Sequence, residues 1–244
     1  MNRKIILASA SPRRKEIMEK LGFNFEIKVS GCEEKTDKKE PDKIVVQLAT
    51  LKALDVAEIH ADTDSIVIGA DTVVAHKGLV MGKPVDMEAA YDMIKSYAGD
   101  IHKVYTGVCV VIPYKDEKVK AHIIKAAKSF KKTSDGFFGI ENLEITEHLP
   151  GNVDKCLPVN TDEAQNYNKY GFIKVSYSVY TDVHVVSMSD DEIRAYAASK
   201  EPLDKAGAYA IQGGFAPYIS SIHGDYYNVV GLPASSLYAL LKLL

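Results

Sequence analysis

The sequence predicts an α/β fold in a single domain, and one observation supports each part of this prediction. Apolar runs rich in β-branched residues alternate with helical patterns through the first half of the chain. The chain has 244 residues, of which 46% are hydrophobic and 26% charged, and this is sufficient for a sizeable core. We therefore expect a single domain over residues 1–244, with one insertion.

The first strand and helix have clear signals. Ile5–Ala8 is an apolar run that predicts a strand. Ser11 is a good N-cap residue and Pro12 fits the first helical position, so a helix is predicted over Pro12–Leu21. Phe25–Val29 predicts the second strand.

Longer elements follow in the same alternation. Apolar residues at helical spacing predict a helix over Asp42–His60, and a β-branched run predicts a strand over Ser65–Val74, before a turn at Gly78. A third helix is predicted over Asp86–Tyr97. His102–Pro113 predicts a strand that ends at a proline.

The second half contains an insertion and three more elements. From 113 to 172 the pattern breaks down into a lysine-rich stretch and a segment crowded with turn residues, so we expect an extended hairpin or a surface excursion. Its lysines either contact a partner or substrate, or form a solvated face. After it, alternation predicts a strand over Lys174–Val186, and helices are predicted over Asp190–Ala198 and Pro233–Leu244.

Charge and cysteine content argue against several function classes. The net charge of -3 gives no basic field for non-specific nucleic-acid binding. Three widely spaced cysteines without a C-x-x-C suggest neither a disulfide framework nor a zinc site, and are typical of a reducing cytoplasm. The apolar start is too short for a signal peptide and no run reaches the ~18 apolar residues of a membrane span, so neither secretion nor membrane insertion is expected.

The turn after the first strand suggests an anion site. Arg13 and Arg14 fall in the first turn of the predicted helix, where cations oppose the macrodipole at roughly 0.3–1 kcal/mol each. Free backbone N–H groups and two guanidinium groups at one point suit a phosphate chain. The alternative is a solvated basic turn.

Two charged residues interrupt apolar elements. Lys52 shares a helix face with Val45, Ala49 and Val56, so its side chain must either reach solvent along the helix or meet an anion. Asp71 lies within the apolar third strand, where its carboxylate needs a cation, a metal or hydrogen-bond donors. Asp71 is thus a candidate base or Mg²⁺ ligand, or a structural aspartate at a strand end.

Familiar motifs of other enzymes are missing from the sequence. The stretch around Gly78, Gly82 and Lys83 is one residue short of a P-loop, and there is no G-x-G-x-x-G after a strand, no H-E-x-x-H and no G-x-S-x-G. What remains is a scattered charged set of the kind that metal-assisted attack on a triphosphate requires. Its members are Arg13, Arg14, Lys52, Lys83, Glu33, Glu34 and Asp71.

Six stretches, which cover nearly the whole chain outside the insertion, occur in the order of one known family. They are Leu7-Ala8-Ser9-x-Ser11-Pro12-Arg13-Arg14, Gly69-Ala70-Asp71-Thr72-Val73-Val74, Gly82-Lys83-Pro84, Tyr105-Thr106-Gly107-Val108, Glu201–Gly213 and Val229-Val230-Gly231-Leu232-Pro233. Together they closely resemble the Maf family of nucleoside triphosphate pyrophosphatases. The resemblance implies a Maf and inosine-triphosphatase type of α/β fold, with an elongated twisted mixed sheet, flanking helices and a nucleotide cleft between two lobes.

The resemblance also implies a reaction and a set of site residues. Such enzymes split a nucleoside triphosphate into the monophosphate and pyrophosphate with a divalent cation, Mg²⁺ or another such as Mn²⁺. Asp71 matches the acceptor of the water proton, and Glu33 matches a further active-site carboxylate that would hold the metal with Asp71. The phosphate-binding positions of the family are matched by Ser9, Arg14, Lys52 and Lys83.

Three residues resemble the dTTP/UTP pyrophosphatases rather than the 7-methyl-GTP branch of the family: Arg13, Thr72 and Gln212. The hydroxyl of Thr72 and the carboxamide of Gln212 have hydrogen-bonding groups that suit the edge of uracil or thymine. Gly82 departs from the acid that many pyrimidine-type members carry at this position.

The resemblance carries further expectations and leaves alternatives. It implies a cytoplasmic enzyme that clears unwanted nucleotides, and it is compatible with a homodimer. The insertion is longer than the hairpin usual in the family, and it is a lid, a dimer element or an inert elaboration. The alternatives to a pyrimidine pyrophosphatase are a 7-methyl-GTP pyrophosphatase, a non-catalytic nucleotide-binding regulator of cell division, and a phosphate-binding module for RNA or a phosphoprotein. The acidic net charge argues against the last of these.

Overall fold

The computed structural model describes residues 3–149 and 170–244, and it confirms the predicted α/β fold. Eight strands of the described chain form one open mixed sheet. The strands are β1 Lys4–Leu7, β2 Phe25–Ile27, β3 Ser65–His76, β4 Leu79–Met81, β5 Ile101–Tyr114, β6 Ile140–His148, β7 Gly171–Val185 and β8 Ile219–His223. The helices of the described residues are α1 Pro12–Lys20, α2 Pro41–His60, α3 Met87–Tyr97, α4 Glu117–Thr133, α5 Asp190–Ala198, α6 Tyr226–Val230 and α7 Ala234–Leu243.

The sheet changes from parallel to antiparallel at β3. Its path runs β2-β1-β3-β5-β7-β6, with β4 added to β3 and β8 added to β7. β1 pairs in parallel with both β2 and β3, whereas the other pairings are antiparallel. The elements predicted from hydrophobic periodicity are confirmed to within a few residues at their ends.

One edge of β3 is open in its middle. β1 pairs with β3 up to Leu7 opposite Ile68, and β4 begins to pair with it at Val74 opposite Met81. Between these points, residues 69–73 pair only with β5 among the described strands. Such a change of neighbour beyond the carboxyl end of a parallel strand leaves a crevice, the usual place for a ligand in an α/β sheet.

Helix α2 lies unusually close to the sheet beside this crevice, because two glycines face it. A Cβ atom on Gly69 would lie 2.2 Å from the carbonyl oxygen of Ala49, and one on Gly107 would lie 2.2 Å from the backbone of Val45. Without those side chains the helix backbone packs directly on β3 and β5. The helix position therefore depends on residues of the sheet as well as on its own apolar stripe.

In the described residues, two of the four clusters of buried apolar residues lie toward the two ends of the long strands, and the other two pack α2 against the sheet. The main cluster lies on the face opposite α2, where α4 and α7 pack with Ile68, Val110 and Tyr177. A second cluster packs α3 and α5 around Tyr97 and Phe215. These two bodies correspond to the two lobes that the family resemblance implied, and the crevice lies between them.

The described part of the insertion predicted over 113–172 differs from the expectation. Helix α4 buries Ile123, Ala127 and Phe130 in the main core, and its lysines occupy the outer face. Strand β6 pairs along β7. An exposed excursion is therefore wrong for α4, because apolar residues recur at helical spacing between its lysines and build a core face. The antiparallel pairing of β6 with β7 is compatible with the other alternative, an extended hairpin. Residues 150–169, the remaining turn-rich part, lie outside the described residues.

None of the helices in the described ranges has both the length and the apolar character needed to cross a bilayer.

Candidate active site

A pocket opens at the gap in the edge of β3 and collects side chains from both ends of the chain. Its charged members are Arg13, Arg14, Glu34, Lys52, Asp71, Lys83, Asp204 and Lys205. Its apolar members include Val74, Val104, Tyr209, Ile211 and Val229. Residues far apart in sequence thus form one cleft with both charged and apolar walls.

Lys52 joins two carboxylates at the α2 side of the pocket. Its ammonium Nζ lies 2.7 Å from Asp71 Oδ1 and 2.9 Å from Glu34 Oε2. The side chains of Lys52 and Asp71 are each only 12% exposed, so each compensates a charge that would be costly to bury alone. Lys52 therefore pairs with anions and does not reach solvent along the helix.

Asp71 keeps one carboxylate oxygen available. Oδ1 accepts the hydrogen bond from Lys52, and Oδ2 accepts none from the described residues. Because Asp71 follows Gly69 by two residues on the same face of β3, it points toward α2 beside the close helix contact. The free oxygen can accept a hydrogen bond from water or bind a cation.

Arg14 is fixed by three hydrogen bonds across the opposite face of β3. Nε donates to the carbonyl of Gly231 at 2.8 Å, Nη1 to Ser9 Oγ at 3.2 Å, and Nη2 to Thr72 Oγ1 at 3.1 Å. Burial lowers the pKa of Arg14, and the nearby Asp71 carboxylate opposes this shift. The guanidinium is thus a fixed, partly desolvated cation at the start of α1.

Ser9 is placed differently from the other predicted phosphate-binding residues. It is buried, with 7% of its surface exposed, and is not among the residues that line the pocket. Its hydroxyl oxygen accepts hydrogen bonds from Arg14 and from the backbone N–H of Ser11, at 3.2 Å each. Ser9 therefore helps to hold the guanidinium group of Arg14 in place.

Two further cations face the pocket without a carboxylate partner. Arg13 and Lys83 both line it, and neither forms an ion pair with a side chain in the described ranges. The loop of Lys83 is held in place because the carbonyl of Gly82 accepts a hydrogen bond from Gly207 at 3.0 Å. Gly207 adopts a φ of 68°, and a Cβ there would lie 2.6 Å from Val74. These two cations are available for an anion.

The structure does not bring Glu33 into the pocket. Its side chain is 68% exposed and pairs with Lys35 at 2.7 Å. The adjacent Glu34, 56% exposed, lines the pocket and pairs with Lys52. Earlier in the same loop, Asp55 on α2 accepts hydrogen bonds from Gly31 N at 2.8 Å and Ser30 Oγ at 2.7 Å. In the structure the carboxylate beside Lys52 is thus that of Glu34, and the role of Glu33 in holding a metal stays a prediction. The sequence shows only two neighbouring acids in a loop and does not distinguish them.

The loop that carries Gln212 is held by hydrogen bonds to Glu201. The carboxylate of Glu201 accepts hydrogen bonds from the backbone N–H of Gly214 at 3.1 Å and from the hydroxyl of Tyr196 at 2.9 Å. Gln212 lines the pocket, and its contact with a base stays a prediction. Lys205, which the sequence analysis did not select, also lines it and pairs with Asp204.

The protein side chains alone do not form a complete metal cage. Among the described residues, no group of three or more His, Cys, Asp or Glu is arranged to hold a metal ion. Glu34 and Asp71 do converge on Lys52, and carboxylate oxygens suit Mg²⁺, which is commonly held by one or two carboxylates plus substrate phosphates and water. The residues present therefore fit a cation that a phosphate chain helps to bind.

Comparison with known proteins shows the family of the chain. The model of the Maf family, described as Maf-like protein, matches residues 4–139 and 160–244. The chain belongs to the Maf family. The family match leaves residues 140–159 uncovered, a shorter stretch than the predicted insertion of 113–172.

Several Maf relatives match over almost their whole length. The dTTP/UTP pyrophosphatase of Lachnoclostridium phytofermentans is 37% identical, over 98% of this chain and 93% of the relative. That of Alkaliphilus metalliredigens is 37% identical, over 96% of this chain and 92% of the relative. That of Agathobacter rectalis is 38% identical, over 98% of this chain and 97% of the relative.

Proposed function

We propose that this chain hydrolyses dTTP and UTP to the monophosphate and pyrophosphate. The observation that carries the proposal is the cleft at the open edge of β3, where five cations and three carboxylates meet beside an apolar wall. The names of the Maf relatives support the same reaction.

The charged wall suits the triphosphate. Arg13 and Lys83 are unpaired cations of the described chain, and Arg14 retains N–H groups beyond the three that it uses within the protein. Guanidinium groups bind phosphate oxygens in a bidentate manner, and a lysine acts as a point charge. These side chains would hold the phosphates in place and take up charge as pyrophosphate leaves.

The apolar wall suits the base. Val74 follows Thr72 on the same face of β3, and Val104, Tyr209 and Val229 line the pocket with them. A pyrimidine ring between such side chains would contact Thr72 and Gln212 with its polar edge. The two walls therefore orient the nucleotide, with its phosphates toward the α2 face and its base toward the second lobe.

Asp71 would position and deprotonate the attacking water. Its free Oδ2 would accept the proton of a water aimed at the α-phosphorus, while Lys52 keeps Oδ1 in place. Glu34 and Asp71 would hold the divalent cation, Mg²⁺ or Mn²⁺, which supplies charge neutralisation at the phosphate oxygens. The chain itself then contributes position and electrostatics, which carry most of the rate in phosphoryl transfer.

We also propose that the protein works in the cytoplasm, which is a reducing compartment. Cys32 and Cys109 are free thiols, and burial raises the pKa of Cys109 to about 11, so this thiol stays protonated and inert. Cys156 lies outside the described residues.

One assay tests the proposed reaction. Purified protein is incubated with dTTP, UTP, CTP, GTP, ATP and 7-methyl-GTP, with Mg²⁺, with Mn²⁺ or with EDTA, and the products are separated by anion exchange. We expect monophosphate and pyrophosphate from dTTP and UTP, and no turnover in EDTA. In ¹⁸O-labelled water the label enters the monophosphate, since the water attacks the α-phosphorus.

The other outcomes contradict the proposal in distinct ways. Turnover of 7-methyl-GTP without dTTP or UTP would assign the chain to the other branch of the family. Tight nucleotide binding without pyrophosphate release would support a non-catalytic regulator. Label in the pyrophosphate would move the attack to the β-phosphorus.

A further inference from the structure

A chain of hydroxyl groups runs from the pocket into the protein interior. Thr72 lines the pocket, and its Oγ1 lies 2.9 Å from Oγ1 of Thr106, the residue opposite it on β5. Thr106 is fully buried, and its hydroxyl donates to the backbone carbonyl of Asn228 at 3.0 Å. The amide of Asn228 is itself fixed, because Nδ2 donates to the carbonyl of Val104 and to Thr181 Oγ1 at 3.0 Å each.

The direction of these hydrogen bonds follows from which groups can donate. A carbonyl only accepts, so the single proton of Thr106 goes to Asn228 and its oxygen accepts from Thr72. The opposite direction would place the oxygens of Thr106 and Asn228 3.0 Å apart without a proton between them. It would also leave Thr72 with only the longer contact to the carbonyl of Gly231, at 3.4 Å.

The hydroxyl of Thr72 therefore presents only a lone pair to the pocket. Its proton is committed to Thr106, and one lone pair accepts from Arg14 Nη2 at 3.1 Å. The remaining lone pair can accept from a ligand but cannot donate to one. A phosphate oxygen is also an acceptor, so this position repels it and selects a ligand N–H.

We propose that Thr106 is a positioning residue that makes Thr72 an acceptor, and so favours uracil and thymine nucleotides over cytosine nucleotides. The inference rests on the proposed function and refines its substrate class. Uracil and thymine carry a proton on N3, which can donate to Thr72. Cytosine has a lone pair on N3, which would face the lone pair of Thr72 and leave both groups unpaired.

The test compares variants that differ only at this hydroxyl. Thr106→Val keeps the shape and removes the acceptor, whereas Thr106→Ser keeps the hydroxyl. Thr181→Val is the matched control, since it removes a buried hydroxyl on β7 that bonds to Asn228 and Asp225 but not to Thr72. Binding of the non-hydrolysable α,β-imido analogues of UTP and CTP is measured by calorimetry, and kcat/KM is measured for UTP and CTP.

In the wild type and in Thr106→Ser and Thr181→Val, we expect the uridine analogue to bind at least about tenfold more tightly than the cytidine analogue. In Thr106→Val the proton of Thr72 is released and can donate to cytosine, so the binding ratio falls by about tenfold. An unchanged ratio in folded Thr106→Val, or a wild type without preference, would overturn the inference. Should Thr106→Val not fold, Thr72→Val removes the acceptor itself, and an unchanged ratio there has the same meaning.

The two proposals fail in different readouts. Selective binding without pyrophosphate release from UTP contradicts the proposed reaction and supports the role of Thr106. Pyrophosphate release with equal kcat/KM for UTP and CTP supports the reaction and overturns that role. Absence of binding to both analogues contradicts both proposals.

Discussion

Lys52 is the residue that organises the charged side of the cleft. On α2 it stands in an otherwise apolar face, and its ammonium lies within 2.9 Å of carboxylates from the loop before α2 and from β3. An exposed ion pair contributes little, but the side chains of Lys52 and Asp71 are each only 12% exposed, so the attraction between these two is less screened than that of Lys52 for Glu34, which is 56% exposed. Its charge therefore fixes the mutual position of Glu34 and Asp71.

Replacing Asp71 with asparagine tests the proposed base. Asp71→Asn keeps the shape of the side chain and removes its charge and its capacity to accept the water proton. We expect kcat for UTP to fall by at least about 10²-fold, while the affinity for the imido analogue changes only several fold. Unchanged turnover would remove Asp71 from the proposed chemistry.

The two neighbouring glutamates form a matched pair of variants. Glu34→Gln removes a carboxylate that contacts Lys52 at 2.9 Å, whereas Glu33→Gln removes one that pairs only with the exposed Lys35. We expect Glu34→Gln to raise the Mg²⁺ concentration needed for half-maximal rate and to lower kcat about tenfold or more. Glu33→Gln should match the wild type in both. A reversed pattern, seen in Mg²⁺ titrations of UTP hydrolysis, would restore the original assignment of Glu33.

At the scale of elements, the placement of α2 depends on glycine in β3. Gly69→Ala puts a Cβ 2.2 Å from the backbone of Ala49, which only movement of the whole helix can relieve. We expect a loss of about 1–3 kcal/mol in the free energy of unfolding, from urea titration, and a lower kcat because Lys52 moves relative to Asp71. Gly136→Ala is the control, since nothing lies within 4 Å of a Cβ there. Equal stability of the two variants would contradict the close packing.

Most elements were predictable because their signals are local. Helix α5 has the predicted bounds Asp190–Ala198, and Ser189 and Glu192 form a capping box at its start. Strands β4, β6 and β8 and helix α6 were not predicted from the sequence. The three strands among them are ordered by pairing with β3 or β7 rather than by their own periodicity, and α6 has only five residues.

At the scale of the whole molecule, the second core carries a histidine that couples stability to pH. His102 is buried beside Tyr97, and its Nε2 lies 2.8 Å from the hydroxyl of Tyr209. Burial, with a smaller effect of His76, lowers the pKa of His102 from 6.5 to about 3. The folded protein therefore keeps this imidazole neutral at a pH where the unfolded chain binds a proton.

The sign of the pH effect follows from that difference. The contribution of neutral His102 to the free energy of unfolding is complete above pH 6.5. It decreases as the pH falls toward 3, because the unfolded state gains a proton that the folded state does not. Between pH 7.5 and 5 we expect the wild type to lose about 2 kcal/mol more unfolding free energy than His102→Gln, at about 1.4 kcal/mol per pH unit. Urea titrations at both pH values measure it, and equal losses would show that His102 is accessible to protons when folded.

The sequence by itself determined most of the strands and helices in their order, the charged residues Lys52 and Asp71 in apolar elements, and the family. These follow from spacing along the chain, because hydrophobic periodicity and capping act over a few residues. The six matching stretches identified the family before any contact was known.

Only the tertiary structure decided how the cleft is completed. The contact of Glu34 with Lys52, while Glu33 pairs with Lys35, is visible only in the structure. The inclusion of Lys205, the burial of one face of α4, and the gap in the edge of β3 likewise depend on partners distant in sequence. The physical reason is that the direction of a loop side chain and the pairing of a strand edge are set by long-range packing, which residue spacing does not record.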